Sequence, residues 1–374
     1  MMKKPTAAYI HIPFCSQICY YCDFAKVLLQ GQPVDDYIEE LIQEFKSYDI
    51  RKLRTLYIGG GTPTVLTAKQ MEKLLSALVE NLDLSYLEEF SVEANPGDLS
   101  DEMILVLKNS PVNRISLGVQ TFNNKLLKKI GRTHNRDDVY QSIEKLKNAN
   151  FDNITIDLIY GLPGQTLEMI QEDLERFLSL DLPHVALYSL ILEDHTRFMN
   201  MQRTGILTLP SDDKNIEMYQ YIRSVLATSG YQHYEISNFS KENYESKHNL
   251  TYWNNVEYYG VGAGASGYLN GIRYKNYGPV HHYLENQNKR VHEDILKQKE
   301  KMEEEMFLGL RKKEGVSISH FEEKFQVKFE DIYPSVLEQL ITTDLVYFEN
   351  NFLSLTERGF ELGNEIFEKF LLDD

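Results

Sequence analysis

Cysteine is scarce in this chain of 374 residues: there are only three, and all of them lie between Cys15 and Cys22. A disulfide framework is therefore excluded, because disulfides that staple a fold need partners elsewhere in the chain. Long apolar runs are also missing, since every run is well short of the roughly 20 residues that cross a bilayer. The N-terminus lacks the apolar core of a signal peptide. We therefore expect a cytoplasmic protein without a targeting or transmembrane segment.

Positive charge is in short supply as well. The chain has 39 Lys and Arg against 56 Asp and Glu, which gives a formal net charge of -17. Proteins bind nucleic acids largely through clustered Lys and Arg that neutralise phosphates. We therefore expect no nucleic-acid partner, and a DNA-binding regulator is the last of the functional hypotheses that we consider.

Six short segments rich in apolar and β-branched residues alternate with helical patterns whose apolar residues recur every three or four positions. The segments are AAYIHIPF, TLYIGGG, EFSVEANP, NRISLGVQTF, NITIDLIYGLPG and HVALYSLIL. Strands and helices in alternation predict a parallel sheet. The sequence therefore predicts an α/β fold with a partial (βα)6 barrel of the TIM type.

The pattern divides the chain into three parts. Residues 1–235 carry the barrel repeats, and residues 236–290 form an aromatic and glycine-rich segment of loops and short strands that we expect to complete the barrel. A charged helical linker, residues 284–313, leads into a C-terminal part, residues 291–374, where helices accompany one hairpin, LVYFENNFLSLT. This last part is predicted to be a helical, winged-helix-like domain.

Polar residues follow several of the predicted strands. The string GGGTPT follows TLYI, Glu93 ends EFSVE, Gln120 follows SLGV, and Asp157 ends NITID. In βα barrels the carboxyl ends of the strands form the rim where ligands bind. We therefore expect these residues to converge on one mouth.

The cysteines form a C-x3-C-x2-C loop, Cys15, Cys19 and Cys22, directly after the first predicted strand. Three thiolates can bind three irons of a 4Fe-4S cluster and leave the fourth iron open for a small molecule, whereas electron-transfer clusters normally have four protein ligands. Two alternatives stay open from the residues alone. One is a zinc site with a fourth ligand such as His11, and the other is a C-x2-C redox pair at Cys19 and Cys22.

Two glycine motifs have different interpretations. Gly59–Thr64 ends a strand, where glycine lets the backbone approach a ligand closely, although a plain tight turn is the alternative. It lacks the Gly-Lys-Ser/Thr ending of a phosphate-binding loop. Gly262–Gly267 fits G-x-G-x-x-G but opens no βαβ unit, so close backbone packing near the barrel is predicted there. His281, His282 and the charge run 301–305 are predicted to be solvated surface.

The cysteine loop after the first strand resembles the motif of the radical S-adenosylmethionine (SAM) superfamily. This resemblance implies that SAM chelates the open iron through its amino and carboxylate groups, and that the cofactor supplies the radical chemistry. The strings YIHIPFC, GGGTPT, EANP, GVQTF, GRTH and DLIYGLPGQT, in this order, resemble the oxygen-independent coproporphyrinogen III oxidase family over nearly the whole chain. The resemblance also implies an electron donor as a partner.

The family resemblance implies a set of residues that contact SAM. These are Tyr9, Tyr21, Gly60, Gly61, Thr62, Glu93, Gln120, Arg132 and Asp157. The chemistry is suitable, because carboxylates can accept hydrogen bonds from ribose hydroxyls and an ammonium group, and an arginine can bind a carboxylate.

Two departures point away from coproporphyrinogen oxidation and leave enzymatic activity open. Phe24 stands where the oxidases have a fourth cysteine, and the leader before Tyr9 is shorter than theirs. We expect Phe24 to be a loop residue packed on the barrel. The rival hypothesis is an enzyme, either a coproporphyrinogen III oxidase or a radical SAM enzyme that transfers a methyl group to a planar aromatic substrate.

The string His248-Asn-Leu-Thr-Tyr-Trp253 contains the only tryptophan and resembles the H-N-x-x-Y-W motif of the HemW branch of this family. Members of that branch bind haem and are thought to pass it to acceptor proteins. The resemblance therefore implies a haem chaperone, with haem and an acceptor protein as partners and His248 as the leading axial ligand. The residues alone would favour His248 as a hydrogen-bonded loop residue and Trp253 as core.

Overall fold

The computed structural model describes residues 4–372. Within this range the strands, in chain order, are β1 (Ala7–Ile12), β2 (Phe14–Cys15), β3 (Val27–Leu28), β4 (Thr55–Gly60), β5 (Glu89–Ala94), β6 (Arg114–Gln120), β7 (Ile154–Tyr160), β8 (His184–Ser189), β9 (Gln232–Glu235), β10 (Asn238–Ser240), β11 (Tyr259–Val261), β12 (Ser266–Leu269), β13 (Ile272–Asn276), β14 (Arg290–Ile295), β15 (Val316–Ser317), β16 (Val346–Glu349) and β17 (Phe352–Leu355).

The helices within the same range are α1 (Val34–Ser47), α2 (Ala68–Val79), α3 (Asp101–Lys108), α4 (Asn124–Lys129), α5 (Arg136–Asn148), α6 (Leu167–Ser179), α7 (Arg197–Arg203), α8 (Asp212–Thr228), α9 (Lys247–Trp253), α10 (Val280–Glu285), α11 (Gln298–Gly309), α12 (Ile318–Phe325), α13 (Phe329–Ile332), α14 (Pro334–Thr342), α15 (Glu357–Glu361) and α16 (Gly363–Glu368). Two short 3-10 helices lie at Pro63–Val65 and Leu84–Tyr86. No helix between residues 4 and 372 combines the length and the apolar character that a membrane span requires.

The main sheet has the strand order β11-β1-β4-β5-β6-β7-β8-β10-β9 within the described residues. The six strands predicted from the sequence, β1 and β4 to β8, are neighbours and parallel. At one edge β11 pairs in parallel with β1, and at the other β10 pairs antiparallel with β8. The predicted α/β fold with a partial barrel of parallel strands is confirmed.

The helices cover the outside of the sheet with one apolar face each. Thr67 caps the start of α2: its side chain accepts from the Gln70 N–H while the Gln70 side chain accepts from the Thr67 N–H. Its buried residues include Met71, Leu74 and Leu78, which recur three or four positions apart and pack on the sheet. Such spacing in the sequence therefore specifies both the helix and the face that it buries.

The inside of the barrel is polar. Successive side chains of a strand point to opposite faces, so Ile58 and Val92 face the helices while their neighbours Tyr57 and Glu93 face the interior. The same alternation runs along β6 and β7, where Asp157 points inward. TIM barrels usually fill this space with branched apolar side chains, and here polar groups surround a cavity.

The C-terminal part contains a small three-stranded sheet of its own, with the strand order β15-β17-β16, and the helices α12 to α14 accompany it. β16 and β17 form the predicted hairpin, and its turn residues Asn350 and Asn351 have φ of 49° and 70°. Positive φ at both positions is typical of a type I′ hairpin turn, and asparagine tolerates this conformation. The winged-helix-like arrangement is thus confirmed, whereas the division of the chain after residues 235 and 290 stays a prediction.

Two surface predictions are corrected and one packing prediction is confirmed. The linker 284–313 is not purely helical, because it contains β14. The charge run 301–305 is not all solvated, because Glu303 and Glu305 are buried and Glu305 accepts from Lys324 Nζ at 2.7 Å. His281 and His282 are exposed as predicted. The glycine motif packs closely, since a Cβ at Gly262 would lie 2.7 Å from His11 O.

Candidate functional site

A cavity of about 520 Å³ opens at the carboxyl ends of the barrel strands and extends into the polar interior. All predicted site residues except Tyr9 and His248 line it. They are Cys15, Cys19, Tyr21, Cys22, Gly60, Gly61, Thr62, Glu93, Gln120, Arg132 and Asp157. Residues that are far apart in the chain therefore meet at one mouth, as the rim position of their strands predicts.

The cysteine loop is held in place at its base and at its middle. β2 and β3 pair in parallel at the base, where Leu29 N donates to Cys15 O at 2.9 Å. In the middle of the loop Tyr20 N donates to Ile130 O, just after α4, at 3.0 Å. The loop thus has a fixed backbone path past the cavity.

The three thiols face one cavity from different depths: Cys15 is buried, while Cys19 and Cys22 are half-buried. Burial raises the pKa of the Cys15 thiol to about 11, although a hydrogen bond from Thr62 opposes the shift. Within residues 4–372 no three His, Cys, Asp or Glu side chains stand at the spacing that a single bound ion requires. Three cysteine thiols on one short loop are the donor set that a cluster with an open iron requires.

The glycines beside the loop leave no room for a side chain. Gly60 has φ of +121°, and a Cβ there would lie 2.7 Å from His11 Cε1. A Cβ on Gly61 would lie 2.6 Å from Phe14 O and 2.9 Å from Cys15 Sγ. Any larger residue would displace the backbone that carries the first cysteine, so glycine is required here for close packing.

Two buried carboxyl groups form the next layer of the cavity wall. Glu93 accepts from Tyr57 Oη at 2.8 Å and from Gly60 N at 3.1 Å. Burial raises the pKa of Glu93 to about 7, and the nearby Asp157 carboxyl adds to this shift. Burial also raises the pKa of Asp157 to about 6, although Ser116 donates to its carboxylate at 3.2 Å. Both groups therefore titrate near neutral pH.

Arg132 provides the opposite charge in the same wall. Its Nη1 donates to Asn95 Oδ1 at 2.7 Å and its Nη2 to Gly118 O at 3.1 Å. Among residues 4–372 its buried Nε has no hydrogen-bond partner. Gln120, at the end of β6, has φ of 67°, a conformation that non-glycine residues rarely adopt. An unpaired buried donor and backbone strain together are features that a ligand site commonly retains.

Tyr9 lies just outside the cavity lining, beside Tyr57, so its contact with the ligand stays a prediction. Its hydroxyl lies 2.9 Å from His11 Nδ1, and its ring stacks on Tyr57. Because Tyr57 donates to Glu93, Tyr9 supports that carboxylate from behind.

His248 lies on a short helix, α9, and not in a loop. It is 1% exposed. Its Nδ1 lies 3.0 Å from Thr55 Oγ1, and its Nε2 lies 2.8 Å from Tyr252 Oη. Both ring nitrogens are therefore within hydrogen-bond distance of a hydroxyl, which does not favour iron ligation, and the axial-ligand role stays a prediction. The hydrogen-bonded alternative describes this histidine better.

We expect His248→Ala to lower the melting temperature without changing the spectrum of bound haem. The substitution leaves the Thr55 and Tyr252 hydroxyls without a partner, at a cost of about 1–3 kcal/mol for each buried group. Thermal unfolding and ferric haem absorbance of the variant check this expectation. His292→Ala, at an exposed position, serves as the control that should change neither. A shifted haem spectrum with an unaltered melting temperature would support the ligand role.

Sequence reasoning missed several polar residues deep in the cavity. They are Tyr57, Asn95, Arg114, Ser116, Thr155, His184, Tyr188, Asn238, Ser246 and Asn249. Many of them occupy alternate positions of a predicted strand, so a polar period of two was the signal that could have found them.

The mouth of the cavity carries three exposed apolar side chains among polar ones. Ile18, Phe24 and Ile191 line it with exposures of 39%, 64% and 59%. The expectation that Phe24 packs on the barrel is therefore wrong. An exposed apolar rim over a polar interior indicates a ligand or partner with an apolar part.

Comparisons with known proteins agree with this geometry. The radical SAM superfamily matches residues 9–177, and the HemN C-terminal domain matches residues 296–362. A heme chaperone HemW from Lactococcus lactis subsp. lactis (strain IL1403) is 66% identical over 100% of this chain and 99% of the relative. The heme chaperone HemW from Bacillus subtilis (strain 168) is 46% identical over 98% and 99%.

Among solved structures, coproporphyrinogen III oxidase (HemN) from Escherichia coli, a radical SAM enzyme, has a TM-score of 0.84 to this chain. The identity is 22%, and the match covers 98% of this chain and 90% of that one. This likeness shows the fold, while the relatives that match from end to end show the family. The chain belongs to the HemW family of the radical SAM superfamily.

Proposed function

We propose that this protein is a haem chaperone, which binds haem and passes it to an acceptor protein. The end-to-end similarity to two proteins named heme chaperone HemW supports this proposal. The observation in the structure that carries it is the exposed apolar mouth, formed by Ile18, Phe24 and Ile191, above a cavity with a three-cysteine loop. A planar, largely apolar macrocycle fits such a rim.

Radical SAM membership implies a 4Fe-4S cluster and SAM. We propose that Cys15, Cys19 and Cys22 hold the cluster and that SAM occupies the cavity beside it. When bound, the pair supplies one-electron chemistry. This chain's residues would position SAM: the Arg132 guanidinium meets its carboxylate, and Glu93 and Asp157 meet its ammonium group and ribose hydroxyls.

The predicted partners and location belong to the proposal as well. They are an acceptor protein for haem, an electron donor and a cytoplasmic location. With both His248 nitrogens occupied, the haem would rest on the apolar rim without that imidazole. The solved-structure likeness keeps coproporphyrinogen III oxidase as the second candidate, but the position of its fourth cysteine is held here by Phe24, which is exposed at the rim.

We expect the anaerobically reconstituted protein to bind haem and to leave coproporphyrinogen III unchanged when the two are offered in parallel. Haem absorbance titrations and chromatography of the porphyrins measure the two outcomes. Phe24→Ala combined with Ile191→Ala should weaken haem binding by roughly a hundredfold or more, because burial of each large apolar side chain contributes about 1.5–3 kcal/mol.

The matched control is Leu105→Ala with Ile295→Ala, two exposed apolar residues outside the cavity lining. This pair should bind haem as the wild type does. Oxidation of coproporphyrinogen would favour the enzyme, and unchanged haem affinity in the rim variant would place haem elsewhere.

A further inference from the structure

Helix α4 packs directly behind the cysteine loop. Its apolar side chains Leu126 and Leu127, together with Ile130, form a small core into which Tyr20 and Tyr21 of the loop pack. The backbone joins the two as well, because Tyr20 N donates to Ile130 O and Gln17 Nε2 donates to Gly131 O at 2.7 Å. One short helix thus separates the loop from the surface on this side.

The outer side of α4 is a cluster of lysines. Lys125, Lys128 and Lys129 are exposed and stand three and four positions apart, so they share one face of the helix. We call them the α4 lysine face. Among residues 4–372 none of the three makes an ion pair. In a chain with a net charge of -17, three neighbouring cations without carboxylate partners form a local exception to the surface charge.

One further cation lies beside the loop. The guanidinium of Arg197 lies 3.8 Å from the centre of the Tyr20 ring. Arg197 makes no ion pair within the described part of the chain, whereas Lys26 of the loop lines the cavity. The exposed carboxylates Asp23 and Glu193 belong to the cavity lining, which none of the α4 lysines joins. The positive surface of α4 therefore lies behind the loop, whereas the mouth of the cavity carries both carboxylates and apolar side chains.

We propose that the α4 lysine face is the docking surface for an acidic one-electron carrier protein of the flavodoxin kind. The proposal rests on the proposed function, because it needs the cluster at the three cysteines. In the transfer the carrier is oxidised by one electron and the cluster is reduced by one. No bond forms or breaks, and no proton moves.

Charge and distance both support this occupant. Electrostatic complementarity steers association of charged proteins and raises the association rate, and the α4 lysine face suits a negatively charged partner. A helix with its side chains is about 10–12 Å across, so a carrier on α4 would stand one helix away from the loop. The Tyr20 to Ile130 hydrogen bond links the two sides. Docking on α4 also leaves the apolar mouth open to haem.

The test uses an acidic flavodoxin and the full-length protein with its cluster. We expect Lys128→Glu with Lys129→Glu to lower the association rate of flavodoxin by about tenfold or more and to reduce its dependence on salt. Reduction of the cluster by reduced flavodoxin, followed by stopped-flow absorbance, should slow in parallel. Reduction by dithionite, a small reagent that needs no docking surface, should stay as fast as in the wild type.

The matched control is Lys108→Glu with Lys147→Glu. These lysines are exposed, lie in the last turns of α3 and α5 and donate only to backbone carbonyls, so this pair makes the same charge change elsewhere. Equal loss in both pairs would indicate a general charge effect and overturn the proposal, as would wild-type rates in the α4 pair. Lys128→Gln with Lys129→Gln should give an intermediate loss and guards against misfolding of the charge-reversed protein.

Two further arms separate this proposal from the proposed function and from other acidic partners. Flavodoxin binding is also measured on the cluster-free protein, which tests docking independently of the cluster. A wild-type protein that holds no cluster would contradict the proposed function, but the binding measurement would still test the docking surface. An acidic protein without a redox centre, parvalbumin, should bind the face less tightly than flavodoxin. Equal binding of the two would overturn the assignment to an electron carrier.

Discussion

Replacement of any one of Cys15, Cys19 or Cys22 by alanine should abolish loading of iron and sulfide. Three thiolates bind three irons of the cluster, and the structure provides no other cysteine among the described residues to substitute for a lost one. Anaerobic reconstitution followed by metal and sulfide analysis should give about four of each per wild-type chain and a background level in each variant. The effect of SAM on the magnetic resonance spectrum of the reduced cluster should vanish together with the iron.

The control for this experiment is Ser16→Ala, an exposed residue of the same loop whose loss removes no thiol. It should load iron as the wild type does. Stoichiometric zinc in the wild-type protein, or full iron in a cysteine variant, would contradict the cluster assignment. The loop would then be interpreted as a zinc site or as a redox pair.

Glu93→Gln and Asp157→Asn should each weaken SAM binding by roughly one to two decades while the cluster still assembles. A hydrogen bond to a charged group contributes about 1.5–3 kcal/mol, and both carboxyls line the cavity without contacting the cysteines. Equilibrium binding of SAM to reconstituted protein measures the change. Glu88→Gln, at a more exposed carboxylate just before β5, is the control that should bind normally.

The same carboxyls predict a pH dependence of SAM affinity. Burial raises the pKa of Glu93 to about 7 and that of Asp157 to about 6, so each loses its negative charge as the pH falls through these values. Only the ionised form attracts the cationic groups of SAM, and affinity should therefore rise between pH 5.5 and pH 8. Glu93→Gln should flatten this rise. Affinity that decreases with pH would rule out the carboxylates as partners of the cation.

The rim of the barrel was predictable from the sequence because it depends on local patterns. A short apolar run in the sequence predicts each parallel strand, and the residue after the run must lie at the edge of the sheet where the carboxyl ends of the strands meet. Glu93, Gln120 and Asp157 could therefore be placed together without any knowledge of contacts. The glycine motif at Gly60 and Gly61 was readable for the same reason, since it directly follows a strand.

The surroundings of His248 and Phe24 could not be predicted from local patterns. The helix that carries His248 depends on Glu89, which lies far earlier in the chain. The Glu89 carboxylate accepts from Lys247 N at 2.9 Å and from His248 N at 3.1 Å. Ser246 caps this seven-residue helix and is a local signal for its start, but the distant carboxylate that stabilises the helix has no signature in the local sequence. Phe24 is a large apolar residue, and burial was the natural expectation. Its exposure follows from the open mouth of the cavity, which only the assembled barrel defines.

The pairing of β11 with β1 links the two ends of the barrel segment and has a consequence for folding. The first strand of the chain lies between β4 and β11, so one of its two neighbours is synthesised only after residue 259. Contacts between residues so far apart in the sequence form slowly, because the entropic cost of closing a large loop must be overcome before the strands pair. The cysteine loop follows β1 directly. Its final geometry should therefore be reached late, when most of the chain has left the ribosome.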